Sequence, residues 1–371
     1  MGSSYDIAII GAGIIGLAHA LAAHRAGLRT LVVEREAQAI GASIRNFGFV
    51  TVTGQEAGDC WRRARRSRDV WAEIAPRAGI AIHHHGLAFA ARRPEALAVL
   101  EEFAASPMGE GCRMLSAAEA AALGALRPDL RGALWSPHEL RVESRDAIPR
   151  LAAWLEAQGV EFRRLTAVTG VETGRLHTTA GPIAAGRILV CPGPDLRTLF
   201  PAVFARRQVT LCKLHMLRLA APGWCLPGAV MSDLGLVRYL GYRDCPSLPR
   251  LAARLRAEQA AELGHGIHLI VVQGEDGSLV VGDSHHYGGS PDPFQPAAVD
   301  DLILREFSAV LDLPRPEVTE RWIGLYPSGP DTAFFESPLP GVMLVSVTSG
   351  TGASTGFGLA EDVFAAWEST R

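Results

Sequence analysis

Tyr5-Asp-Ile-Ala-Ile-Ile-Gly-Ala-Gly-Ile-Ile-Gly-Leu-Ala-His-Ala20, continued by Thr30-Leu-Val-Val-Glu-Arg-Glu36, is the stretch on which the rest of the chain depends. Residues 7–10 form an apolar run of buried-strand length, Gly11-Ala-Gly13-Ile14-Ile15-Gly16 follows at once, and residues 17–27 read as an Ala-rich helix. In that setting Gly11 permits a tight turn, Gly13 lets a pyrophosphate approach the backbone, and Gly16 lets helix pack on strand. The helix N-terminus then faces the phosphates. Glu34 closes the next apolar run, where a carboxylate can accept hydrogen bonds from a ribose; an arginine there would suit a 2′-phosphate.

Working outward, 371 residues are too many for one ordinary core and imply two intimately joined domains. The hydrophobic share of 48% and 39 glycines fit a compact α/β protein with many turns, and a net charge of −3 gives no basis for nucleic-acid or membrane binding. Residues 62–68, rich in arginine, read as a solvated helix face with snorkelling stems. The six cysteines show neither a CxxC pair nor metal-ligand spacing and read as reduced thiols. The strand begins too early for a cleavable signal, and no run of about 18 apolar residues could span a bilayer. The expected location is therefore cytoplasmic.

After Glu34, residues 42–51 read as a loop crossing a cofactor, followed by helix 56–78, strand 79–90, helix 93–106 and a helix at 116–123 opened by a Ser116/Glu119 capping box. Residues 134–142 are strand or loop. The α/β order returns with helix 144–158 stopped by Gly159, strand 160–165, hairpin-like pairs over 168–179 and a buried strand ending at Gly193. Period-2 stretches then fall at 211–219, 237–242, 267–272 and 278–282, interrupted by helix 251–263. Helix 297–311, strand 317–326 and a strand, glycine-rich turn and helix over 342–358 complete the chain. No repeat of 20 to 50 residues separates the parts. The expected architecture is a Rossmann-type nucleotide-binding domain assembled from 1–82, 143–215 and 318–371, with an interleaved β-rich substrate domain from 83–142 and 216–317.

Taken together, the opening fingerprint, Glu34, residues 188–193, Arg321-Trp-Ile-Gly-Leu-Tyr-Pro327 and the glycine-rich close resemble the FAD-dependent amine oxidoreductases of the D-amino acid oxidase superfamily, which includes glycine oxidase. The resemblance spans nearly the whole chain. Within it, Ala42-Ser-Ile-Arg-Asn-Phe-Gly48 and Val281-Gly-Asp-Ser-His-His-Tyr287 resemble the branch associated with phosphonate breakdown. The resemblance implies oxidation of N-methyl-2-aminoethylphosphonate to phosphonoacetaldehyde and methylamine.

Carried over by position, it places Gly11, Gly13, Ile14, Ile15 and Gly16 at the FAD pyrophosphate, and Glu34 with Arg35 at the adenosine ribose. Ser43, Arg45, Asn46, Phe47 and Gly48 would lie against the flavin, Val168 on the adenine side and Gly193 beneath the dinucleotide. Gly350, Thr351 and Gly352 would face the flavin pyrimidine, where N–H groups can stabilise charge on N1 and O2. Two departures stand out. Thr351 falls near the arginine that holds substrate carboxylate in glycine oxidase, and Val280 falls where the sarcosine oxidases carry an oxygen-activating lysine. Oxidase and dehydrogenase, with O2 or another electron acceptor, both stay open.

Hydride transfer to flavin is the cofactor's chemistry, so the protein must supply orientation and a dry site, not a nucleophile or a metal. A phosphonate needs several converging donors. The substrate-binding candidates are Arg45, Arg238, Tyr239, Tyr242, His285 and His286, with Trp322, Tyr326 and Thr351 as walls. Alternation puts His285 and His286 on opposite faces, so one of them lines the site. Arg45 could instead pair with Glu34 or a phosphate. Neither the histidine pair nor residues 83–85 has ligand spacing for a metal. With no cysteine near Tyr326 in sequence, the FAD is expected to be non-covalent. Rival readings are a sarcosine, glycine or D-amino acid oxidase or dehydrogenase, and a flavin-binding partner subunit without turnover.

Overall fold

A computed structural model describes residues 5 to 368. The opening stretch folds as β1 (Tyr5–Ile10), α1 (Ile14–Arg25) and β2 (Thr30–Val33). Apart from Asp6 both strands are buried, as strands covered on two faces must be. The crossing segment carries β3 (Phe49–Val50), and Gly58 at φ +87° delays α2 to Asp59–Arg77. There follow β4 (Ile82–Ala91), α3 (Pro94–Ala104), β5 (Arg113–Ser116), α4 (Ala117–Ala121) and β6 (Gly132–Val142). The capping box of α4 is formed by Ser116 and Glu119.

The α/β order resumes in α5 (Ser144–Ala157), β7 (Glu161–Arg163), the hairpin β8 (Val168–Glu172) and β9 (Arg175–Thr178), and β10 (Ile183–Val190). Then come α6 (Pro201–Arg206), β11 (Thr210–Leu219), β12 (Ala229–Met231), α7 (Leu248–Glu258), α8 (Ala260–Gly264), β13 (Ile270–Gln273), β14 (Leu279–Gly282) and β15 (His286–Gly288). The chain closes with α9 (Ala297–Val310), β16 (Val318–Leu339), β17 (Val342–Ser349) and α10 (Gly352–Glu368).

Parallel pairing sets the order β7-β2-β1-β10-β17, with one apolar cluster on each face of that sheet. The other layer is built on β11, which pairs antiparallel with β14, β15 and β16, and extends through β13 and β12 to β4 and β6. β16 joins the two. Up to Ser328 it pairs with β11, and from Ser328 onward it pairs with β17. A cleft therefore opens where the carboxyl ends of β1 and β10 meet the second layer, the usual ligand position in open α/β sheets.

Two local expectations fail. Residues 237–242 are not a strand; they form turns and a short 3-10 segment at Leu240–Tyr242, with Arg238 and Tyr239 N–H both donating to Gly235 O. Six alternating residues do not separate a strand from a turn whose apolar members pack alternately, and here no neighbouring strand takes up the backbone. The expected helix 251–263 breaks at Gln259, whose side chain accepts from Arg93 Nη2 at 2.7 Å and donates to Glu306 at 2.8 Å. The break coincides with this buried polar network.

The arginine run also does more than coat a solvated face. Arg62 and Arg63 donate to Asp362, and Arg66 to Glu361, tying α2 to α10. The helices meet so closely that a Cβ on Gly358 would stand 2.7 Å from the Arg63 backbone. Gly358→Ala is expected to lower unfolding free energy by about 1–3 kcal/mol through overpacking, measured as a lower urea midpoint with unchanged slope.

Candidate functional site

The cleft is a cavity of about 400 Å³. Gly13, Ile14, Ile15 and Gly16 at the start of α1 border it, beside Gly350, Thr351 and Gly352 at the start of α10; a Cβ on Gly352 would stand 3.5 Å from the Ile14 side chain. Ser43, Arg45, Asn46 and Phe47 of the crossing loop and Gly193 beyond β10 also line it. The second layer adds Arg238, Tyr239, His268, Asp283, His285 and Tyr326.

The glycine turn is dictated by contact. A Cβ on Gly16 would lie 1.9 Å from Gly11 O, and Gly11 itself sits at φ +99°. Ser43 Oγ accepts from Ile14 N–H at 2.9 Å, clamping the crossing loop onto the first turn of α1. Glu34 is buried and accepts from the N–H groups of Ala12 at 2.8 Å and Glu36 at 3.1 Å, so its carboxylate braces the turn. Arg35 reaches Asp195 at 2.7 Å, and Val168 is buried in the hairpin. Gly11, Glu34, Arg35, Gly48 and Val168 are not among the residues bordering the cavity. Gly48 serves packing: its Cβ would stand 1.7 Å from Val142 O.

In the crossing loop, Asn46 is a local tie, donating to Ala42 O at 2.8 Å and accepting from Gly48 N–H at 2.7 Å. Arg45 borders the cavity while its Nε donates to Ile40 O at 2.7 Å; Glu34 is occupied elsewhere. At the α10 end, Thr351 Oγ1 is 2.7 Å from Ser349 Oγ, and Gly350 stands beside the Tyr326 ring. Two neighbouring helix N-termini, the positive ends of their dipoles, thus open onto the cavity.

Three of the proposed substrate contacts lie elsewhere. Tyr242 is fully buried between Phe89 and Phe103, with ring centroids at 5.6 and 4.8 Å, because the turn that replaces the expected strand points it into the core. Trp322 shares a strand face with Tyr326 but is not among the residues bordering the cavity, which on this strand begin at Gly324; it lies under the Arg145 guanidinium at 4.9 Å. His286 points outward to His265, 3.0 Å away, leaving His285 at the cavity. The cysteine reading also changes. Cys212 stands directly opposite Tyr326 in register and its thiol meets the Tyr326 hydroxyl. Proximity in sequence did not reveal a neighbour 114 residues away across two strands.

Sequence reasoning passed over His268, Asp283 and Tyr287. Asp283 and Tyr287 lie inside the quoted segment 281–287, and the alternation that carries Ile270 to the cavity carries His268 with it. Arg238 Nη1 donates to the Tyr287 hydroxyl at 3.0 Å and Nη2 to the Tyr326 hydroxyl at 3.4 Å. Next to it, His268 Nδ1 is 3.1 Å from Asp283 Oδ1, and His285 Nε2 is 3.8 Å from Asp283 Oδ2. Burial pushes the Asp283 carboxyl up to about 8, with Arg238 pulling the other way. Burial, aided by Arg238, pushes both imidazoles well below their ordinary range, so they are neutral at pH 7.

A cleft onto which two neighbouring helix N-termini open suits a molecule carrying both a pyrophosphate and an electron-rich ring. The close backbone approach at Gly13 and Gly16 and the N–H groups at residues 350–352 match a flavin dinucleotide on both counts. No helix among the described residues is long and apolar enough to cross a membrane. The D-amino acid oxidase (DAO) family, described as FAD dependent oxidoreductase, matches residues 6–366. No curated protein matches the sequence. Among solved structures, glycine oxidase from Geobacillus kaustophilus is similar at 20% identity and a TM-score of 0.76, over 97% of this chain and 93% of that one. Iminodiacetate oxidase from Chelativorans sp. BNC1 has 19% identity and a TM-score of 0.71, over 96% and 93%. L-alpha-glycerophosphate oxidase from Mycoplasma pneumoniae, with FAD bound, has 16% identity and a TM-score of 0.74, over 98% and 94%. At these identities the likeness is one of fold; the family match over nearly the whole chain goes further, and the protein belongs to the DAO family of FAD-dependent oxidoreductases.

Proposed function

We propose that the enzyme oxidises a small amine bearing an anionic group, with N-methyl-2-aminoethylphosphonate as the preferred substrate, giving phosphonoacetaldehyde and methylamine. The observation that carries this reading is Arg238, a guanidinium bordering the cavity and flanked by the hydroxyls of Tyr287 and Tyr326. A fork of N–H donors beside two hydroxyl groups suits a three-oxygen anion. When bound, FAD would supply the hydride acceptor for the carbon beside nitrogen, and water would hydrolyse the resulting C=N bond to the aldehyde and methylamine. In this reading residues 1–82, 143–215 and 318–371 hold the cofactor, while Arg238, His268, Asp283 and His285 all come from the substrate segment 216–317.

Gly13 to Gly16 would face the pyrophosphate, Glu34 the ribose, Ser43 to Phe47 the flavin, and Gly350 to Gly352 its pyrimidine edge. The flavin is non-covalent in this proposal: burial raises the Cys191 thiol well above its ordinary range and the Cys212 thiol to about 11, so neither is a thiolate nucleophile.

Arg238 also supports the second reading, an amino acid oxidase or dehydrogenase. Thr351 removes one carboxylate anchor, but Arg238 offers another from a different wall. Anaerobic mixing with N-methyl-2-aminoethylphosphonate, sarcosine, glycine and D-alanine, followed at the flavin absorption band, separates the two. Bleaching by the phosphonate at least tenfold faster than by the others is the expected result, with peroxide on admitting air marking an oxidase. Faster bleaching by an amino acid selects the second reading.

A further inference from the structure

Asp283, His268 and His285 form a group whose geometry calls for a missing partner. The ligand-capable atoms of the three side chains all lie within 4.8 Å of one another, and all three residues are buried. His285 Nδ1 is 2.8 Å from Gly266 O and can reach it only by donating. In the neutral ring Nε2 is then an acceptor, and it stands 3.8 Å from Asp283 Oδ2. On the other side, His268 Nδ1 and Asp283 Oδ1 are 3.1 Å apart without the alignment of a hydrogen bond, and each lacks a partner. Once Asp283 is ionised the cluster offers a carboxylate beside neutral imidazoles, and buried acceptors without a donor are costly, so in that form it is complementary to a cation rich in N–H.

Resting on the amine reading above, we propose that this cluster binds the substrate's ammonium group and that Asp283 takes its proton. The amine reaches the protein as an ammonium ion, whose nitrogen lone pair is tied up in an N–H bond. Transfer to an Asp283 oxygen breaks that bond, forms a carboxyl O–H and leaves the neutral amine from which hydride departs. His285 and His268 are positioning residues that share the remaining N–H. The anion rests on Arg238 on the neighbouring wall, so the two ends of a zwitterion are read separately. The titratable groups facing Asp283 are His268, His285, Arg238, Tyr239, Tyr326 and Cys212.

The test compares the FAD-loaded wild type with Asp283→Asn and Asp283→Glu, using anaerobic flavin reduction by the four amines across pH 6 to 10. Binding of two thioethers, 2-(methylthio)ethylphosphonate and methylthioacetate, which keep the anion but replace the ammonium by sulfur, is read from the flavin spectrum. In the wild type the reduction rate should rise through about pH 8, the position to which Asp283 is pushed. Asp283→Asn should be at least 100-fold slower at pH 7, with its acid limb displaced to the pKa of the amine itself. Asp283→Glu should restore part of the rate. Thioether affinity should change less than threefold, which also shows that the variant folds and holds flavin.

Equal rates and an unmoved limb in Asp283→Asn, with the wild type reduced normally, overturn the proton-acceptor role and leave the amine reading standing. No reduction of wild type by any amine removes both. A stoichiometric metal found in the wild type and lost from Asp283→Asn overturns the ammonium site in favour of a metal site.

Discussion

Gly16→Val is expected to yield a colourless protein. The substituted Cβ would arrive 1.9 Å from Gly11 O, a backbone atom that cannot rotate aside, so the turn must open. Opening it separates the Ala12 N–H from Glu34 and the Ile14 N–H from Ser43, the two bonds that fix the start of α1. With the helix N-terminus displaced, the phosphates lose both the dipole and the N–H groups that would meet them. A penalty of about 3 kcal/mol corresponds to a Kd for FAD raised more than 100-fold. Titration of apoprotein with FAD, read by flavin fluorescence, measures it, and far-ultraviolet circular dichroism separates cofactor loss from unfolding. Retention of flavin at wild-type affinity would remove the glycine turn from the cofactor site.

Arg238→Ala should cost nearly as much, on the cavity wall built by the second layer. Truncating one partner of a desolvated charge pair costs roughly 2–5 kcal/mol, which is about 30- to 4000-fold in kcat/KM. The loss should fall on anionic amines and spare an uncharged amine of similar size. Arg238→Lys should recover the charge without the planar fork and so only part of the rate. If Arg238→Ala slows charged and uncharged amines alike, the residue orients the Tyr287 and Tyr326 hydroxyls and does not anchor the anion.

The sequence was most legible where one local pattern demands one structure. The glycine turn, the buried strands around it, the Ser116 cap and the closing strand, turn and helix all depend on neighbours within a few residues. What escaped depends on register between distant strands. Nothing around Cys212 announces that it will oppose Tyr326, and nothing around Trp322 says that the cavity lining on its strand begins only at Gly324. Tyr242 was misplaced because a turn and a short strand give the same alternation. The arginines at 62–66 looked solvated because their acidic partners, Glu361 and Asp362, lie about 300 positions away. Of the polar site, Arg238 and His285 could be picked out as residue types suited to an anion or a flavin neighbour. The Asp283 cluster could not, since its meaning lies in the unmatched acceptors that the fold brings together.

The continuity of β16 has a dynamic consequence. A plank nailed across two floors keeps them from sliding: hydrogen bonded to β11 along one half and to β17 along the other, this strand denies the two layers a hinge between them. On the proposed reading, the spacing between flavin ring and anion anchor is thereby set when the protein folds, not when substrate arrives. Entry and exit must then be handled at the rim, where Leu240 is 46% and Tyr287 55% exposed. Turnover in such an enzyme is gated by a doorway of side chains, not by the clapping of domains.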